Sequence, residues 1–589
     1  MEYLPHGLER LSLEHSLDHN LQFTGVYEHE PPRTAYTNNV ALENHQKTLL
    51  HSFNQFLTPD EVSSITEGYR RSDVNMDSIL SDFFSGDLPS FEIPFDEHVE
   101  NGLNAMADAF RPPRPCMPAH INDVEHHYPY KWQVNAEPPF STDKFYLDNR
   151  LTFGEFIERH GYEHIDKADF DRRHPNQESD TFLRTVTPAK FGFMKVKVFD
   201  HTRRWHHIIK SDFLDLAGLD ADSWYVKNGF IFPMLLHTKT AIVKKDDPDK
   251  MRTIWGCSKP WIIADTMFYW EYIAYLKLNP GNSPMLWGYE TFTGGWFRLN
   301  QELFTPDPVT YVMLDWSRFD KRAYFSLIDK IMTRVRTFLD FDHGYLPNTL
   351  YPDTSKDWSP EKAQRLENLW QWTLKNLYDA DIVLPNGNMY KRLFAGIPSG
   401  LFITQLLDSW YNYTMIATIL SRLGYDPKTC LIKVQGDDSI IRLAIQIPTK
   451  DHESFMNAFA ELALYYFNAI VSVEKSEIRN HLNGCEVLSY RNMNGLPFRD
   501  EIKMLAQFYH TKARDPTPEI TMAQTIGFAY ASCGNHLRVY ECLRDIYTYY
   551  ERQGFTPNRA GLTAIFGNSP DIISFPFTLD RFPTLSEIR

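Results

Sequence analysis

The sequence predicts an α+β chain of several subdomains, on three observations. Its 589 residues exceed what one ordinary core holds, so two to four subdomains or one multi-lobed body are expected. Hydrophobic residues at 43% and aromatics at 14% describe a globular chain, not a disordered one. Short β-branched runs punctuated by Gly, Asn and Asp are interspersed with long helical patterns, so hairpins and helices occur together.

Composition narrows the class. No window reaches 18 apolar residues, so no transmembrane helix is expected. The start, Met1-Glu-Tyr-Leu-Pro-His-Gly7, has no basic region ahead of an apolar core, so no signal peptide is expected either. The six cysteines form no Cys-x-x-Cys pair, which points away from zinc or a disulfide framework and toward a reducing, intracellular setting. Net charge is −16, which at first argues against a nucleic-acid partner. Its distribution reverses that impression. Residues 1–110 hold 5 Lys/Arg and 19 Asp/Glu, whereas residues 181–260 hold 14 and 8. A near-neutral body with a basic segment suits a channel for polyanions.

In chain order, residues 1–110 carry amphipathic pieces at Asn44–Leu57 and Val62–Tyr69, read as helices on the outside of the main body. Arg111-Pro-Pro-Arg-Pro115 is a connector. Phe191–Phe199 alternates enough to be read as a strand. His201, His206 and His207 stand among Arg203 and Arg204, whose fixed charges would repel a metal. Lys239–Gly256 reads as strand, charged Asp-Pro-Asp turn, strand, with Lys239, Lys245 and Arg252 projecting from one two-stranded ribbon. Such a ribbon suits a triphosphate, and a solvated basic hairpin explains it equally well.

Val309–Leu314 is a strand ending at Asp315, followed by Asp320 and a helical pattern to Phe338. A carboxylate at a strand end suits chemistry, and a helix N-cap is the plainer use of one of the two. Residues 345–392 hold a Trp-rich helix (Trp358, Trp370, Trp372) and a hairpin around Asn386-Gly387. Ala395-Gly-Ile-Pro-Ser399-Gly400 is a loop that runs into a helix from about Phe402 to Arg422. Leu431–Leu443 reads as a hairpin with Gly436-Asp437-Asp438 at its tip. Two adjacent carboxylates repel unless a cation sits between them, so the tip is a candidate magnesium site, although a solvated turn explains the tripeptide alone. Asp451–Phe467 is a helix, Ile470–Val473 a short strand before Lys475, and Cys485–Tyr490 with Leu496–Arg499 another hairpin. From about Ile520 the pattern is mainly helical, with Tyr540, Tyr547, Tyr549 and Tyr550 expected to pack.

The succession basic ribbon, Asp-x4-Asp, Ser-Gly-x3-Thr, Gly-Asp-Asp, Lys resembles the viral RNA-dependent RNA polymerases. In that family's lettering Arg252 falls in motif F, Asp315 and Asp320 in A, Ser399–Thr404 in B, Gly436–Asp438 in C and Lys475 in D. Cys485–Arg499 resembles motif E, and the resemblance covers roughly residues 230–505. Gly-Ile-Pro-Ser-Gly, Leu-Leu-Asp-Ser, Glu-Val-Leu-Ser-Tyr and Gly-Leu-Pro-Phe-Arg look like the partitivirus branch, alphapartitiviruses in particular.

The resemblance implies a right-hand polymerase with an antiparallel palm sheet flanked by helices. Fingers are expected at 111–300 and 345–394, palm at 301–344 and 395–503, and thumb and C-terminal helices at 504–589. The acidic segment 1–110 is expected to bridge fingers and thumb, with a solvated outer layer as the other reading. Asp315, Asp437 and Asp438 are the implied ligands of two Mg2+ ions, with Mn2+ as a substitute. Lys475 is the implied general acid, while Lys239, Lys245 and Arg252 hold the triphosphate. Asp320, Ser399, Gly400 and Thr404 approach the ribose. Many relatives carry Asn where this chain has Asp408, so the Asp320–Asp408 pair is expected to share a proton or a cation. Implied partners are template and product RNA, ribonucleoside triphosphates and a viral capsid protein, with no membrane. The implied setting is a virus particle in host cytoplasm, replicating and transcribing a segmented double-stranded RNA genome. The alternatives are a catalytically inactive palm that binds RNA or capsid, and a reverse transcriptase.

Overall fold

The structure, a computed structural model, describes residues 19–28, 37–130, 134–162, 165, 167, 170–171, 174, 179–211, 230–291, 294–558 and 581–589. The Met1–Gly7 start and residues 559–580 of the C-terminal stretch lie outside the described residues.

The elements that position the site begin with β1 (Leu21–Val26), α1 (Asn39–Phe56), α2 (Pro59–Thr66), β2 (Tyr69–Arg71), α3 (Met76–Phe84) and α4 (Glu97–Phe110). Next come α5 (Phe191–Lys210), β3 (Met234–Thr240), β4 (Ile242–Lys244), β5 (Met251–Gly256) and α6 (Lys259–Leu278). The middle holds β6 (Thr310–Met313), β7 (Trp316–Ser317), α7 (Phe325–Arg336), α8 (Pro360–Asp379), β8 (Ile382–Val383), β9 (Asn388–Arg392) and α9 (Thr404–Arg422). Then follow β10 (Leu431–Gln435), β11 (Asp438–Leu443), α10 (His452–Phe467), β12 (Ile470–Val471) and β13 (Glu477–Arg479). The last are β14 (Glu486–Val487), β15 (Tyr490–Met493), β16 (Leu496–Phe498), α11 (Glu501–Tyr509), α12 (Pro518–Ala531) and α13 (Leu537–Glu551). The mixture is α+β, as expected. Among the described residues no helix is long and apolar enough to cross a membrane.

The centre is a four-stranded antiparallel sheet in the order β10-β11-β6-β13. Side chains alternate across a strand, and here both faces are covered. Val312 and Ile441 join the main core with Trp410 of α9 and Phe459 of α10. Tyr311, Met313 and Ile440 face a second core with Trp296, Leu299 and Tyr490. That is why all four residues of β6 are buried. Helix α9 is buried along its whole length from Leu406 to Leu420, including the polar residues Asp408, Ser409 and Asn412.

A second sheet has the order β1-β9-β8-β3-β5. Its β3–β5 ladder sets Lys239 directly opposite Arg252. Helices α11–α13 form a third core whose other wall is N-terminal: Leu49, Phe53, Val62 and Ile65 are buried against Leu505, Phe508, Met522 and Ile546.

Five sequence expectations are corrected. Phe191–Phe199 is the start of helix α5, because Phe191, Met194, Val198, Thr202, His206 and Ile209 form a buried stripe at helical spacing. The helices of residues 44–69 are not an outer layer, since their apolar faces are core. The strand, turn, strand of the ribbon forms and carries Lys239 and Arg252, but Lys245 does not project from it: it follows β4, which pairs with the N-terminal strand β2. The stretch 485–499 is a three-stranded meander, with β15 between β14 and β16. Trp358 precedes the Trp-rich helix α8 and does not lie in it.

Candidate active site

Strand β6 delivers Asp315. Its amide donates to Ser476 Oγ at 2.9 Å, and its carbonyl accepts from the Ser472 amide at 2.8 Å. The Ser476 hydroxyl in turn donates to the Ser472 carbonyl at 2.8 Å, which closes a small clasp around the strand end. Met313 pairs with Ile440 on one side and Glu477 on the other. Carried two residues further, the β11 register sets Asp315 level with Asp438; on the other flank Asp315 faces Ser472, and Lys475 lies in the turn between Ser472 and β13. The sheet therefore brings three expected site residues to one edge although 160 positions separate the first from the last.

The Gly-Asp-Asp tip is a two-residue hairpin closed by the Gln435–Asp438 pair. Gly436 has φ +62° and Asp437 does not share that sign, the pattern of a type II′ turn with Gly first. Helix α9 grips this turn along one face. Ser409 Oγ accepts from the Gly436 amide at 2.9 Å, and Asn412 Nδ2 donates to the Gly436 carbonyl at 2.9 Å. Gln405 Oε1 accepts from Gln435 Nε2 at 2.9 Å. Asn412 Oδ1 also accepts from Trp316 Nε1 at 2.9 Å, tying the turn to the strand that follows Asp315.

Asp315, Asp437 and Asp438 are open to solvent at this edge. The surrounding protein still raises the Asp437 carboxyl above its ordinary range, by burial first and with Asp315 also pushing it up, against the pull of Arg252. Asp438 is pushed up to about 6, by burial and by the charges of Asp437, Glu486 and Asp315. Oxygen-only donors that repel one another suit a hard divalent cation. Among the described residues no three Asp, Glu, His or Cys side chains converge tightly enough to enclose an ion by themselves. An ion here would complete its shell with water and substrate phosphate, the usual habit of Mg2+.

Behind this edge, Asp320 and Asp408 lie close enough for each carboxyl to act on the other. Two carboxylates held together repel, which favours a proton or a cation between them. Burial, then the neighbouring charge of Asp320, drives Asp408 well above its ordinary range, while burial pushes Asp320 up to about 6. Arg252 pulls Asp320 down, so the ribbon cation acts on both Asp320 and Asp437.

The Gly-Ile-Pro-Ser-Gly loop is docked on the end of β5. Ser399 Oγ accepts from the Trp255 amide at 3.2 Å, and the Gly400 amide donates to the Trp255 carbonyl at 3.1 Å. A Cβ on Gly400 would come within 2.3 Å of that carbonyl oxygen, so the close approach requires glycine. Thr404 is buried, and its hydroxyl is engaged with the Pro398 and Leu401 carbonyls at 2.7 and 2.8 Å.

A cavity of about 470 Å³ is lined by Arg71, Lys239, Lys250, Arg252, Lys503 and Lys512 with no carboxylate among its walls. Lys250 lies within electrostatic reach of both Asp315 and Lys475, so the cavity adjoins the acidic edge. Lys245 is not part of it; it stands exposed in the turn beyond β4. Sequence reasoning missed Arg71, Lys250, Lys503 and Lys512, which tertiary structure alone collects. It also missed the clasp serines and the grip of Gln405, Ser409 and Asn412. Their spacing of four and then three along a helix was the available signal.

The model of the family described as viral RNA-dependent RNA polymerase matches residues 229–553, which contain the ribbon, the acidic edge and its helix. The class is a template-directed RNA polymerase. The RNA-directed RNA polymerase of White clover cryptic virus 1 (isolate Boccardo/2004) is 65% identical over the whole chain and 95% of that relative. The RNA-directed RNA polymerase of Atkinsonella hypoxylon virus (isolate 2H) is 27% identical over 87% of the chain and 77% of that relative. The chain belongs to the viral RNA-dependent RNA polymerase family, among the cryptic and partitivirus-like members expected from its motifs. It is an enzyme that takes RNA and nucleotides as substrates, and its family uses divalent metal ions.

Proposed function

We propose that the chain copies and transcribes a segmented double-stranded RNA genome by two-metal nucleotidyl transfer, with the acidic edge as its catalytic centre. The observation that carries this reading is the placement of Asp315 beside the Gly-Asp-Asp turn at one end of the central sheet, with Lys475 in the turn that follows Ser472, whose amide bonds the Asp315 carbonyl. In the reaction, a 3′ hydroxyl attacks the α-phosphorus of a ribonucleoside triphosphate. The new P–O bond forms as the hydroxyl gives up its proton to solvent and the bond to the β-phosphate oxygen breaks, and pyrophosphate leaves. Asp315, Asp437 and Asp438 would hold two Mg2+ ions, with Mn2+ as a substitute; when bound, the ions supply charge neutralisation and activation of the attacking oxygen. Arg252, Lys239 and Lys250 hold the triphosphate from the cavity side. Lys475 gives a proton to the departing pyrophosphate. Neutral Asp408 donates to Asp320, which leaves Asp320 an acceptor for the ribose 2′ hydroxyl. Ser399 and Gly400 fix the loop beside it, and buried Thr404 holds that loop's shape.

On this reading the central sheet is a palm (301–344 and 395–503), the second sheet and its helices are fingers (111–300 and 345–394), and α11–α13 begin a thumb (504–589). The acidic segment 1–110 bridges the last two. The enzyme works inside a particle in host cytoplasm, against a capsid protein.

Purified protein with Mg2+, ribonucleoside triphosphates and an unprimed RNA template is expected to yield full-length complementary RNA. The Asp437→Ala variant is expected to bind RNA and extend nothing. Preference for deoxynucleotides, or extension by Asp437→Ala at the wild-type rate, would refute the reading.

A further inference from the structure

Among the described residues, the hydrogen bonds that hold the turn between β4 and β5 from outside come from the N-terminal segment. Strand β2 pairs with β4, matching Arg70 to Val243 and Arg71 to Ile242. The Lys245 amide donates to the Gly68 carbonyl at 2.9 Å. Arg70 then reaches over the turn. Its Nε donates to the Lys245 carbonyl at 3.1 Å, its Nη2 to the Asp247 carbonyl at 2.8 Å, and its Nη1 pairs with the Asp249 carboxylate. The Asp73 amide adds a bond to the same carboxylate at 3.2 Å. The residue after Asp249 is Lys250, whose amide donates to Ser72 Oγ at 2.9 Å. Two residues later stands Arg252.

We propose that Arg70 is a positioning residue for nucleotide binding. Its guanidinium locks the Lys245–Asp249 turn and thereby sets where Lys250 and Arg252 stand beside the acidic edge. The inference rests on the reading of this ribbon as the triphosphate holder.

The physical case has three parts. The turn runs Lys244-Lys-Asp-Asp-Pro-Asp-Lys250 and is exposed throughout. Mixed charges and a proline without an amide give it few bonds of its own. A guanidinium is planar and carries five donors, so one side chain spans both limbs of the turn and the carboxylate between them. An ammonium does not have that reach. The base of the ribbon is anchored separately. Asp82 of α3 accepts from the Thr253 amide at 2.9 Å and hydroxyl at 2.7 Å, and pairs with Lys321 at 2.8 Å. Loss of Arg70 therefore removes the bonds that span the turn, loosening its tip while Gly68, Ser72 and Asp73 still hold its ends and the ladder below stays intact. The consequence belongs to triphosphate binding, because Lys250 and Arg252 are the cations nearest the turn that also act on Asp315, Asp320 and Asp437.

The test is steady-state elongation by Arg70→Ala, Arg70→Lys, Asp249→Asn and Arg252→Ala in the full chain, with RNA affinity and thermal midpoint measured in parallel. Arg70→Ala is expected to raise KM for ribonucleotides about tenfold, to change kcat less than about threefold, and to leave RNA affinity and the midpoint unchanged. Arg70→Lys and Asp249→Asn are expected between wild type and Arg70→Ala. Amide exchange at 244–250 should accelerate in Arg70→Ala and nowhere else in the ribbon. An Arg70→Ala enzyme with wild-type KM, or one that loses kcat, RNA affinity and midpoint together, overturns the proposal. If Arg252→Ala raises KM and Arg70→Ala does not, the positioning role alone falls. If Arg252→Ala also leaves KM unchanged, the triphosphate reading falls with it.

Discussion

Three single residues carry consequences that a motif does not convey. Gly436 sits at φ +62°, and a Cβ there would meet Gln405 Oε1 at 3.3 Å. A β-branched side chain in that backbone region costs on the order of 1–2 kcal/mol and pushes the turn off its grip. Gly436→Val is expected to fold and to lose elongation by about a hundredfold or more, read in the same primer-independent assay. Burial and the charge of Asp320 favour a neutral Asp408, so an amide that donates in its place is expected to keep the arrangement. Asp408→Asn is expected to retain incorporation within about tenfold, with Asp408→Ala much weaker. His45 is a packing residue with a pH signature. It is fully buried, with one ring nitrogen against Thr521 Oγ1 at 2.8 Å and the other against the Phe508 carbonyl at 3.0 Å. Burial holds it down to about 4, whereas an unfolded chain takes the proton near 6.5. Its stabilisation is complete above about pH 6.5 and is lost as pH falls toward 4, up to about 3 kcal/mol at 1.4 kcal/mol per unit. Urea denaturation at pH 7.5 and pH 5 should show the difference shrinking in His45→Gln.

At the level of elements, α9 is both core and clamp. Its buried length fixes where Gln405, Ser409 and Asn412 meet the hairpin, so the turn geometry depends on a helix that begins 32 residues earlier in the chain. Asn412→Ala would leave the Gly436 carbonyl and the Trp316 indole without their partner. The expected cost is about 2–3 kcal/mol, visible as a lower thermal midpoint with a reduced kcat. Most elements were legible in sequence. The hairpin at Leu431–Leu443, the strand ending at Asp315, and the helices near 402–422 and 451–467 all form with nearly the expected bounds. Their signals are local: β-branched runs around a Gly-Asp turn, and apolar spacing that suits only one period. Phe191–Phe199 failed because Val196 and Val198 imitate alternation over a short window, while the longer stripe to Ile209 shows the helix. The meander at 485–499 was half seen, since strands of two to four residues are too short to carry a period.

Across the whole molecule, the acidic N-terminal segment is built into the main core through α4 and into three further places. It adds β1 to the second sheet, β2 to the ribbon turn, and the inner faces of α1 and α2 to the C-terminal core. Burying Leu49, Phe53, Val62 and Ile65 contributes roughly 6–12 kcal/mol, comparable with the net stability of a domain. Deletion of residues 1–100 is therefore expected to abolish soluble, cooperatively melting protein, measured by yield and thermal unfolding. The charge of that segment had suggested a solvated layer, because composition reports the outer face of an amphipathic helix and is blind to what its inner face meets. The sequence by itself determined the chemistry: which carboxylates end a strand or crown a hairpin, which glycine turns it, and the order that marks the family. Only the tertiary structure decided the company those groups keep. The meeting of Asp315 with Asp438 and with the turn that carries Lys475, the cavity drawn from Arg71, Lys250, Lys503 and Lys512, and the reach of Arg70 across the turn join positions far apart in the chain. Such pairings follow from strand register and packed cores, and no local window of sequence contains them.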